Sequence, residues 1–490
     1  MIVAQTGDAL PGGVSTLTTV TDSPTLNDLG QIGFTAETSG GFRGAYSTDP
    51  LGQVREFART GQPAPGTSDT FSNLRSVSIN EAGQSTVFGT LSQPDDRAVY
   101  RATPTGGSTI TPTLIAAAGS PGPGGVGTFG FVSNPSLNES GQVGFRGQLT
   151  GSGVTDANDF GLFRSGSASA LVTIAREGDA IPVGSGFIDE INFAGSGVNN
   201  LGQIAFRADL TGGSVTTPDS RAIYIGDGSG PLTQVARSGQ LAPDGDAFLT
   251  FGSVTLLNNV GDVAFTGFFD FDNDGFADAD GIYVRDAAGT TVKVVRDGDT
   301  APNGVGQFRQ LGTPVINDAG QVAFRGSFSG SGANGSNNVG IYRGDGFSLL
   351  MRVARKGDAA PNGGTFDFFR AGVAINEAGQ VAFYGNVEEI NGDIQRGIFF
   401  YDDLRGLLEV VRTGDTVNGV PIETVEWTGG GSLGDEFNGF NELGQIAYRY
   451  SLVNGDEGIA VWSIPPIPEP LSALGGATLL GMLTLRRRAG

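Results

Sequence analysis

The sequence predicts an all-β protein, an eight-bladed β-propeller of four-stranded antiparallel blades, and three observations carry this prediction. A short pattern recurs eight times along the chain at a nearly constant spacing. Each unit between two copies divides into four short segments that read as β-strands. The segments at the two ends of the chain complete each other as one unit. Four short strands repeated in tandem are typical of propeller blades.

The repeated pattern is an Asn, two residues, a Gly, a Gln or Asp, and a short apolar strand that carries an aromatic residue. One copy reads INDAGQVAF, residues 316–324. The eight copies are anchored at Asn27, Asn80, Asn138, Asn199, Asn258, Asn317, Asn376 and Asn441. These anchors lie 53, 58, 61, 59, 59, 59 and 65 residues apart. Such regularity indicates tandem repeats.

Residues 365–413 show how one unit divides into strands. TFDFFRAGVAIN is rich in β-formers and ends at the turn NEAG, and QVAFYGNV alternates apolar and polar residues. A variable polar loop follows. The strand segment RGIFFYDD, a short turn and the strand segment LLEVVRTGD then complete the unit. The alternation and the turn residues predict four strands joined mostly by hairpin-length loops.

The Asn and Gly of the pattern are predicted to make turns, because an Asn side chain can bond the backbone two residues on and Gly supplies a positive φ. The aromatic residue seven positions after the Asn is predicted to pack between blades. In the seven copies that carry it, this residue is Phe34, Phe145, Phe206, Phe265, Phe324, Phe383 and Tyr448, respectively. The second copy has Val87 there and Phe88 one position later, which predicts a bulge.

The two ends of the chain predict how the ring closes. The last copy has three strands and finishes at GIAVWSI, whereas IVAQTGD at the N-terminus resembles the missing fourth strand. We therefore expect residues 2–6 to pair with residues 458–463, which leaves no open sheet edge. The propeller domain is predicted to span residues 1–463, and anything upstream of Met1 is expected to be only a leader peptide.

Composition excludes several functional classes. Among 490 residues there is no Cys and no His, so thiol nucleophiles, disulfides, zinc sites of Cys and His, and imidazole bases are excluded. The formal net charge is −22, from 51 acidic and 29 basic residues. A field of that sign repels nucleic acid, so no nucleic-acid partner is expected, and divalent cations are favoured.

The clearest candidate site is the loop DFDNDGFADADG, residues 270–281. Asp270, Asp272, Asp274 and Asp278 stand around Gly275, and the backbone carbonyl of Phe276 can add a ligand. This spacing resembles the calcium loops of integrin-type propellers and the first half of an EF-hand loop. Crowded carboxylates repel one another unless a cation neutralises them. We therefore predict a Ca²⁺ site that stiffens this loop; a merely solvated acidic loop is the alternative.

Other motifs favour structural roles. The Arg-x-Gly-Asp sets recur with the repeat, which predicts hydrogen bonding or ion pairing at the blade ends rather than catalysis: Arg176/Asp179, Arg296/Asp299, Arg355/Asp358 and Arg412/Asp415. Without Cys and His, carboxylate pairs of the kind used in glycoside chemistry are the remaining catalytic option. No pair is singled out, so the sequence assigns no catalytic residue and no organic cofactor.

The tail has three parts in a fixed order. Residues 464–470, IPPIPEP, form a proline-rich linker that cannot continue a sheet. Residues 471–485 are apolar or small, which predicts a short apolar helix of fewer residues than the twenty or so that span a bilayer. Arg486, Arg487 and Arg488 follow, and such a basic cluster holds the extreme C-terminus on the cytoplasmic side. The alternative is an ordinary short membrane anchor.

This tail resembles the PEP-CTERM sorting signal, with Pro468, Glu469 and Pro470 as the signature, then the apolar stretch and the basic cluster. The body resembles the NxxGxxAF tandem-repeat proteins. The resemblance implies an exosortase-type membrane enzyme as a processing partner and transient membrane attachment through residues 471–490. A sorting substrate needs an export signal, and MIVAQTGDALPGG shows none, so we expect one upstream of Met1.

The sequence thus predicts an exported bacterial propeller of the cell surface or extracellular matrix, acting as a binding or structural module. Exopolysaccharide or other surface proteins are its expected partners. The alternative is a polysaccharide hydrolase or lyase that uses loop carboxylates, and a third reading is a purely structural spacer.

Overall fold

Each repeat folds as one antiparallel sheet, and eight such sheets form a closed propeller in the computed structural model of the chain. The structure describes residues 1–11, 15–93, 96–166, 170–192, 197–302, 306–429 and 439–466. The predicted all-β fold with eight four-stranded blades is confirmed. The helical segments in this described part are two single 3₁₀ turns, Pro123–Gly125 and Thr217–Asp219.

The strands are numbered in chain order. They are β1 (Ile2–Gln5), β2 (Leu17–Val20), β3 (Thr25–Leu26), β4 (Ile32–Thr38), β5 (Arg43–Thr48), β6 (Val54–Arg59), β7 (Phe71–Ile79), β8 (Ser85–Leu91), β9 (Arg97–Ala102), β10 (Thr113–Ala117), β11 (Thr128–Leu137), β12 (Val143–Thr150), β13 (Phe160–Ser165), β14 (Leu171–Arg176), β15 (Phe187–Asn192), β16 (Ile204–Thr211), β17 (Arg221–Gly226), β18 (Thr233–Arg237), β19 (Thr250–Leu257), β20 (Val263–Phe269), β21 (Ala279–Arg285), β22 (Thr291–Arg296), β23 (Gln307–Leu311), β24 (Val315–Ile316), β25 (Val322–Ser329), β26 (Val339–Gly344), β27 (Met351–Arg355), β28 (Thr365–Ile375), β29 (Val381–Glu388), β30 (Ile394–Asp402), β31 (Gly406–Arg412), β32 (Thr416–Val417), β33 (Val420–Glu426), β34 (Ile446–Leu452) and β35 (Glu457–Trp462).

The blades follow the repeats. Blade 1 is β2–β6, blade 2 is β7–β10, blade 3 is β11–β14, blade 4 is β15–β18, blade 5 is β19–β22, blade 6 is β23–β27, blade 7 is β28–β31, and blade 8 is β32–β35 with β1. The first strand of each blade leads into the Asn-x-x-Gly turn, and the second strand leaves it. A register shift interrupts the pairing of the first two strands in all eight blades, for example between Phe369 and Val373 in blade 7.

The ring closes by pairing the two ends of the chain, as predicted. Strand β1 runs antiparallel to β35, with Ile2 opposite Ala460 and Gln5 opposite Gly458. Ala4 is buried in the same apolar cluster as Ile459. The N-terminal strand therefore supplies the fourth strand of blade 8, and that blade has no unpaired outer edge at β35.

The aromatic residue of the second strand is buried in each copy that has one. In blades 1 and 3–7 it meets an aromatic residue on the third strand, as Phe265 meets Tyr283 with ring centroids 5.8 Å apart and Phe383 meets Phe399 at 5.7 Å. In blade 8, Tyr448 lies opposite Ala460 instead. In the second copy Val87 occupies this buried place, and its pairing with the third strand runs without interruption. The pairing with the first strand does shift register opposite Val87, between Arg75 and Ser78, and this irregularity is shared with the other blades rather than specific to the second copy.

The predicted turns form in all eight copies. Each Asn side chain accepts the backbone N–H four residues on, and Asn199 and Asn258 also make the predicted bond two residues on. The glycines of the eight turns have φ between +70° and +96°, which residues with a Cβ rarely adopt. The repeated Asp of the Arg-x-Gly-Asp sets bonds backbone, since Asp179 Oδ2 accepts the Arg176 N–H at 2.7 Å and Asp415 Oδ2 accepts the Arg412 N–H at 2.7 Å. These carboxylates hold the turn after the last strand of a blade.

Candidate functional site

The eight Asn-x-x-Gly turns meet in a closed ring at one end of the propeller, which we call the axial ring. In each turn the Asn is buried, and its Oδ1 accepts the N–H four residues on, as Asn27 does from Gln31 at 2.8 Å. Its Nδ2 crosses to the next blade and donates to the backbone carbonyl of the next Asn. From Asn27 round to Asn441 and back, these distances are 2.8, 3.0, 2.8, 2.9, 2.9, 2.9, 3.2 and 2.9 Å.

The residue after each Asn adds a second circle of hydrogen bonds. Its backbone N–H donates to the side chain of the corresponding residue in the next blade, as Glu81 does to Glu139 at 2.9 Å. The eight residues are Asp28, Glu81, Glu139, Asn200, Asn259, Asp318, Glu377 and Glu442. Each peptide group after an Asn is therefore held by the preceding blade at its carbonyl and by the following blade at its N–H.

The axial ring surrounds a cavity of about 300 Å³ that is lined from all eight blades. All eight side chains that directly follow the Asn anchors line it, and six of them are carboxylates and two are amides. Loss of hydration raises the pKa of Glu81, Glu139, Glu377 and Glu442, and neighbouring carboxylates add to the rise. For Glu442 the pKa is raised to about 7. This arrangement concentrates negative potential on the axis, which attracts cations and retains protons near neutral pH.

The predicted metal loop joins β20 to β21, the second and third strands of blade 5. One carboxylate oxygen from each of Asp270, Asp272 and Asp278 lies within 4.8 Å of the other two, so this cluster could hold a metal ion. Asp274 is not part of that group, and its Oδ1 accepts the Phe276 N–H at 2.8 Å. The structure thus brings together three of the four predicted carboxylates.

Short hydrogen bonds within the loop set its shape. Both oxygens of Asp270 accept backbone N–H groups, from Asn273 at 2.7 Å and from Gly275 at 2.8 Å. Asp278 Oδ2 accepts the Phe271 N–H at 2.6 Å and so joins the two ends of the loop. Gly275 has a φ of +88°, which its lack of a Cβ permits at this tight turn.

The loop carboxylates differ in electrostatics although all belong to one turn. Desolvation opposes ionisation of Asp270, but the N–H groups of Gly275 and Asn273 outweigh it and hold its pKa below the ordinary value. At Asp272 a hydrogen bond from Asp274 lowers the pKa, yet desolvation and the charges of Asp274, Asp278 and Asp270 raise it overall. Mutual repulsion of this kind is what a bound cation relieves.

Arg296 connects this loop to the crossover that enters blade 5. Its guanidinium lies 2.9 Å from Asp244 and 2.8 Å from Asp246, both in that crossover. It also stacks over Phe269, 3.8 Å from the ring centroid, where the loop begins. The crossover and the loop between the second and third strands therefore share one face, at the opposite end of the strands from the axial ring.

The predicted sorting residues Pro468, Glu469, Pro470, Arg486, Arg487 and Arg488 lie outside the described residues, as does the expected apolar helix. Within the ranges that the structure describes, no helix is long and apolar enough to cross a membrane.

Sequence reasoning missed the axial ring, because it treated the repeated asparagines as local turn residues. The missed residues were the acidic or amide side chains that directly follow each Asn. Their signal was present in the sequence, since that position is Asp, Glu or Asn in all eight copies. Only the folded ring shows that these side chains face one cavity.

Comparison with known families identifies one match. The family model described as a family of unknown function, DUF7453, matches residues 1–197 and 188–474, which together cover most of the chain. The chain therefore belongs to this family. A search of curated proteins finds no match to the chain.

Solved structures with a similar fold are distant. The polysaccharide lyase Uly1 is 10% identical with a TM-score of 0.38, covering 78% of this chain and 88% of its own. A eukaryotic initiation factor is 11% identical with a TM-score of 0.42, covering 93% and 87%. An oligogalacturonate lyase in complex with manganese is 12% identical with a TM-score of 0.36, covering 81% and 94%. Likeness at this level bears on no activity of the chain.

Proposed function

We propose that this member of the DUF7453 family is an exported binding and structural module of a bacterial cell surface or extracellular matrix. One observation carries the proposal: the polar side chains that recur in every repeat bond one blade to the next around the axis. The repeat thus builds a rigid ring, and the loops that differ between blades remain for binding. Binding residues are often found on loops that a rigid scaffold positions.

Calcium is the proposed ion of the loop at residues 270–281. The cluster of Asp270, Asp272 and Asp278 offers only oxygen ligands, which hard divalent cations prefer. Ca²⁺ accepts six to eight oxygens in irregular geometry, which an exposed turn with adjacent backbone carbonyls and water can supply. Mg²⁺ requires near-ideal octahedral geometry and is less suited to such a turn.

Delivery to the surface is proposed to follow the tail. Pro468, Glu469 and Pro470 come soon after the last strand, which ends at Trp462, and the apolar stretch and three arginines follow. An exosortase-type membrane enzyme would recognise this segment while residues 471–490 hold the protein in the membrane. Exopolysaccharide and other surface proteins are the proposed partners of the processed propeller.

A polysaccharide hydrolase or lyase is the second candidate function. The observation that favours it is Glu442, whose pKa of about 7 among other carboxylates suits a general acid. The binding role is preferred because the carboxylates of the axial ring already accept backbone N–H groups that hold the blades together, as Glu442 does from Glu377 at 2.6 Å.

Localisation of the full chain tests the proposal. Expressed behind a cleavable signal peptide in a host with an exosortase, the protein is expected at the cell surface, with a mass that shows loss of its C-terminal segment. The Pro468→Ala/Pro470→Ala variant is expected to stay full length in the membrane fraction, whereas Pro465→Ala behaves as wild type. Recovery of unprocessed wild-type protein from the cytoplasm would overturn the proposal.

A further inference from the structure

A second cavity, of about 350 Å³, lies where blade 7 meets blade 8, away from the loop at residues 270–281. Its walls include Arg370, Tyr384, Glu426 and Trp427. The volume falls in the lower part of the range of small-molecule sites, roughly 300–1,000 Å³. We call it the blade 7/8 pocket.

The pocket forms at a place where the repeat is broken in two ways. The residue after the second-strand aromatic is Arg in blades 3, 4, 6 and 8 but Tyr384 in blade 7. Arg325 in blade 6 reaches the Phe369 carbonyl of the next blade at 2.9 Å, and the Tyr384 hydroxyl makes the corresponding bond to the Val425 carbonyl at 3.0 Å. Tyr384 thus keeps the link between blades while offering a flat ring to the cavity.

The second break is an insertion in blade 8. Asn441 follows Gly414 by 27 residues, whereas Asn376 follows Gly357 by 19. The first strand of blade 8 ends at Glu426, and Trp427 comes directly after it. Trp427 is one of two tryptophans in the chain.

Two glycines let the backbones of the two blades approach each other closely at one side of the pocket. Gly372 has a φ of +112° and lines the cavity opposite Gly429. A Cβ on Gly429 would lie 3.0 Å from the Gly372 carbonyl carbon and 3.0 Å from Cη2 of Trp427. A side chain at this position would collide with both walls.

Among the residues that the structure describes, Arg370 is the cation of the pocket that forms no ion pair. The Glu426 carboxylate is paired with Arg449 at 3.0 Å. The ion pairs found among the described residues do not include Arg370, although the chain has a net charge of −22. Its guanidinium stacks over the Tyr384 ring, 5.1 Å from the centroid, and keeps its donors available.

We propose that the blade 7/8 pocket binds a carboxylated sugar, such as a uronic acid residue of an acidic polysaccharide. The Arg370 guanidinium matches a carboxylate in bidentate geometry. The Trp427 ring offers a flat apolar wall with a polar edge, which suits the C–H face and the hydroxyls of a pyranose ring. The Tyr384 ring supports the Arg370 guanidinium. The inference rests on the binding role proposed above and names its ligand class.

Tryptophan fluorescence of the full chain tests this proposal, because a Trp462→Phe background leaves Trp427 as the sole tryptophan. D-glucuronic acid is the probe. Glucose, which lacks the carboxylate, and acetate, which lacks the sugar ring, are the matched compounds. We expect a saturable change with glucuronic acid, at least tenfold weaker binding with glucose or acetate, and at least tenfold weaker glucuronic acid binding by Arg370→Gln. Arg370→Lys keeps the positive charge but lacks the planar guanidinium. Its affinity for glucuronic acid is expected to lie between those of the background protein and Arg370→Gln.

Arg75→Gln is the control, since Arg75 and Arg370 both follow a first-strand residue paired with a second-strand glycine, Gly89 or Gly385. It is expected to bind glucuronic acid like the background protein. Equal affinity for glucuronic acid and glucose, no effect of Arg370→Gln, or no saturable change with any probe would overturn the proposal. Failure here leaves surface localisation intact, so the two proposals fail separately.

Discussion

In the axial ring each carboxylate accepts a backbone N–H from a neighbouring blade, whereas Asp270, Asp272, Asp274 and Asp278 accept N–H groups of their own loop. Glu139 bonds Glu81, 58 residues away, and Asp270 bonds Gly275, five residues away. Carboxylates at the repeated position after the Asn therefore hold neighbouring blades together. Carboxylates that occur in one blade alone shape a single exposed turn. Position relative to the repeat, rather than residue type, separates structural acids from candidate ligands.

The largest effect is expected from breaking the axial ring. Asn258→Ala removes a buried donor to the Asn317 carbonyl and the acceptor of the Asp262 N–H. The Asp262 N–H is left unpaired, and the Asn317 carbonyl keeps only the Gly320 N–H at 3.0 Å. We expect a loss of about 3 kcal/mol in the free energy of unfolding. Differential scanning calorimetry measures it, with Asn454→Ala in an exposed hairpin as the control. Equal melting temperatures for the two variants would contradict the structural role of the ring.

A smaller effect is expected from pH. Glu442 has a folded pKa of about 7, raised from an unfolded value near 4.5, so its stabilising contribution is complete below pH 4.5 and lost as pH rises through 7. Because the side chain is open to water in the cavity, we expect about 1 kcal/mol rather than the full value of the shift. The melting temperature should fall between pH 5.5 and 8.

Glu442→Gln should flatten this pH dependence without removing it, because Glu177, with a pKa of about 7, and Asp280, with a pKa of about 6, titrate in the same window. A profile for Glu442→Gln that coincides with wild type would show that the ring carboxylate does not titrate there.

In the absence of metal, the smallest change in melting temperature is expected from substitutions in the loop at residues 270–281. Asp272→Ala and Asp278→Ala should melt within about 2 °C of wild type in EDTA, since both side chains are exposed and their bonds are local. Millimolar Ca²⁺ should raise the melting temperature of wild type more than Mg²⁺ does, and this rise should be lost in both variants. Asp286→Ala, in a neighbouring hairpin, should respond like wild type.

A calcium response that survives in both loop variants would move the site elsewhere, with the axial ring as the next place to test. No response to either cation would leave the loop as a solvated acidic turn and remove calcium from the proposed function.

Local pattern was sufficient for the fold because each repeat carries its own strands and turns. The eight Asn anchors set the number of blades, and the shortened last unit identified residues 2–6 as the closing strand. The axial ring could not be predicted in this way, because Asn27 and Asn80 bond across 53 residues and neither side chain has a local signature of that contact. The blade 7/8 pocket left a weaker sign, the 65-residue spacing before Asn441, which was open to a simple longer loop.

Closure by the N-terminal strand has a mechanical consequence. Strand β35 lies between β34 and β1, so a load applied to the residues beyond Trp462 acts along a strand bonded on both sides. Such a pull must shear two ladders at once rather than unzip one bond at a time. At the far end of the strand, Glu457 bonds the Thr6 hydroxyl through its N–H at 2.9 Å and pairs with Arg449 at 3.1 Å. A propeller tethered through its C-terminal side would thus bear the load on a strand that is paired on both sides.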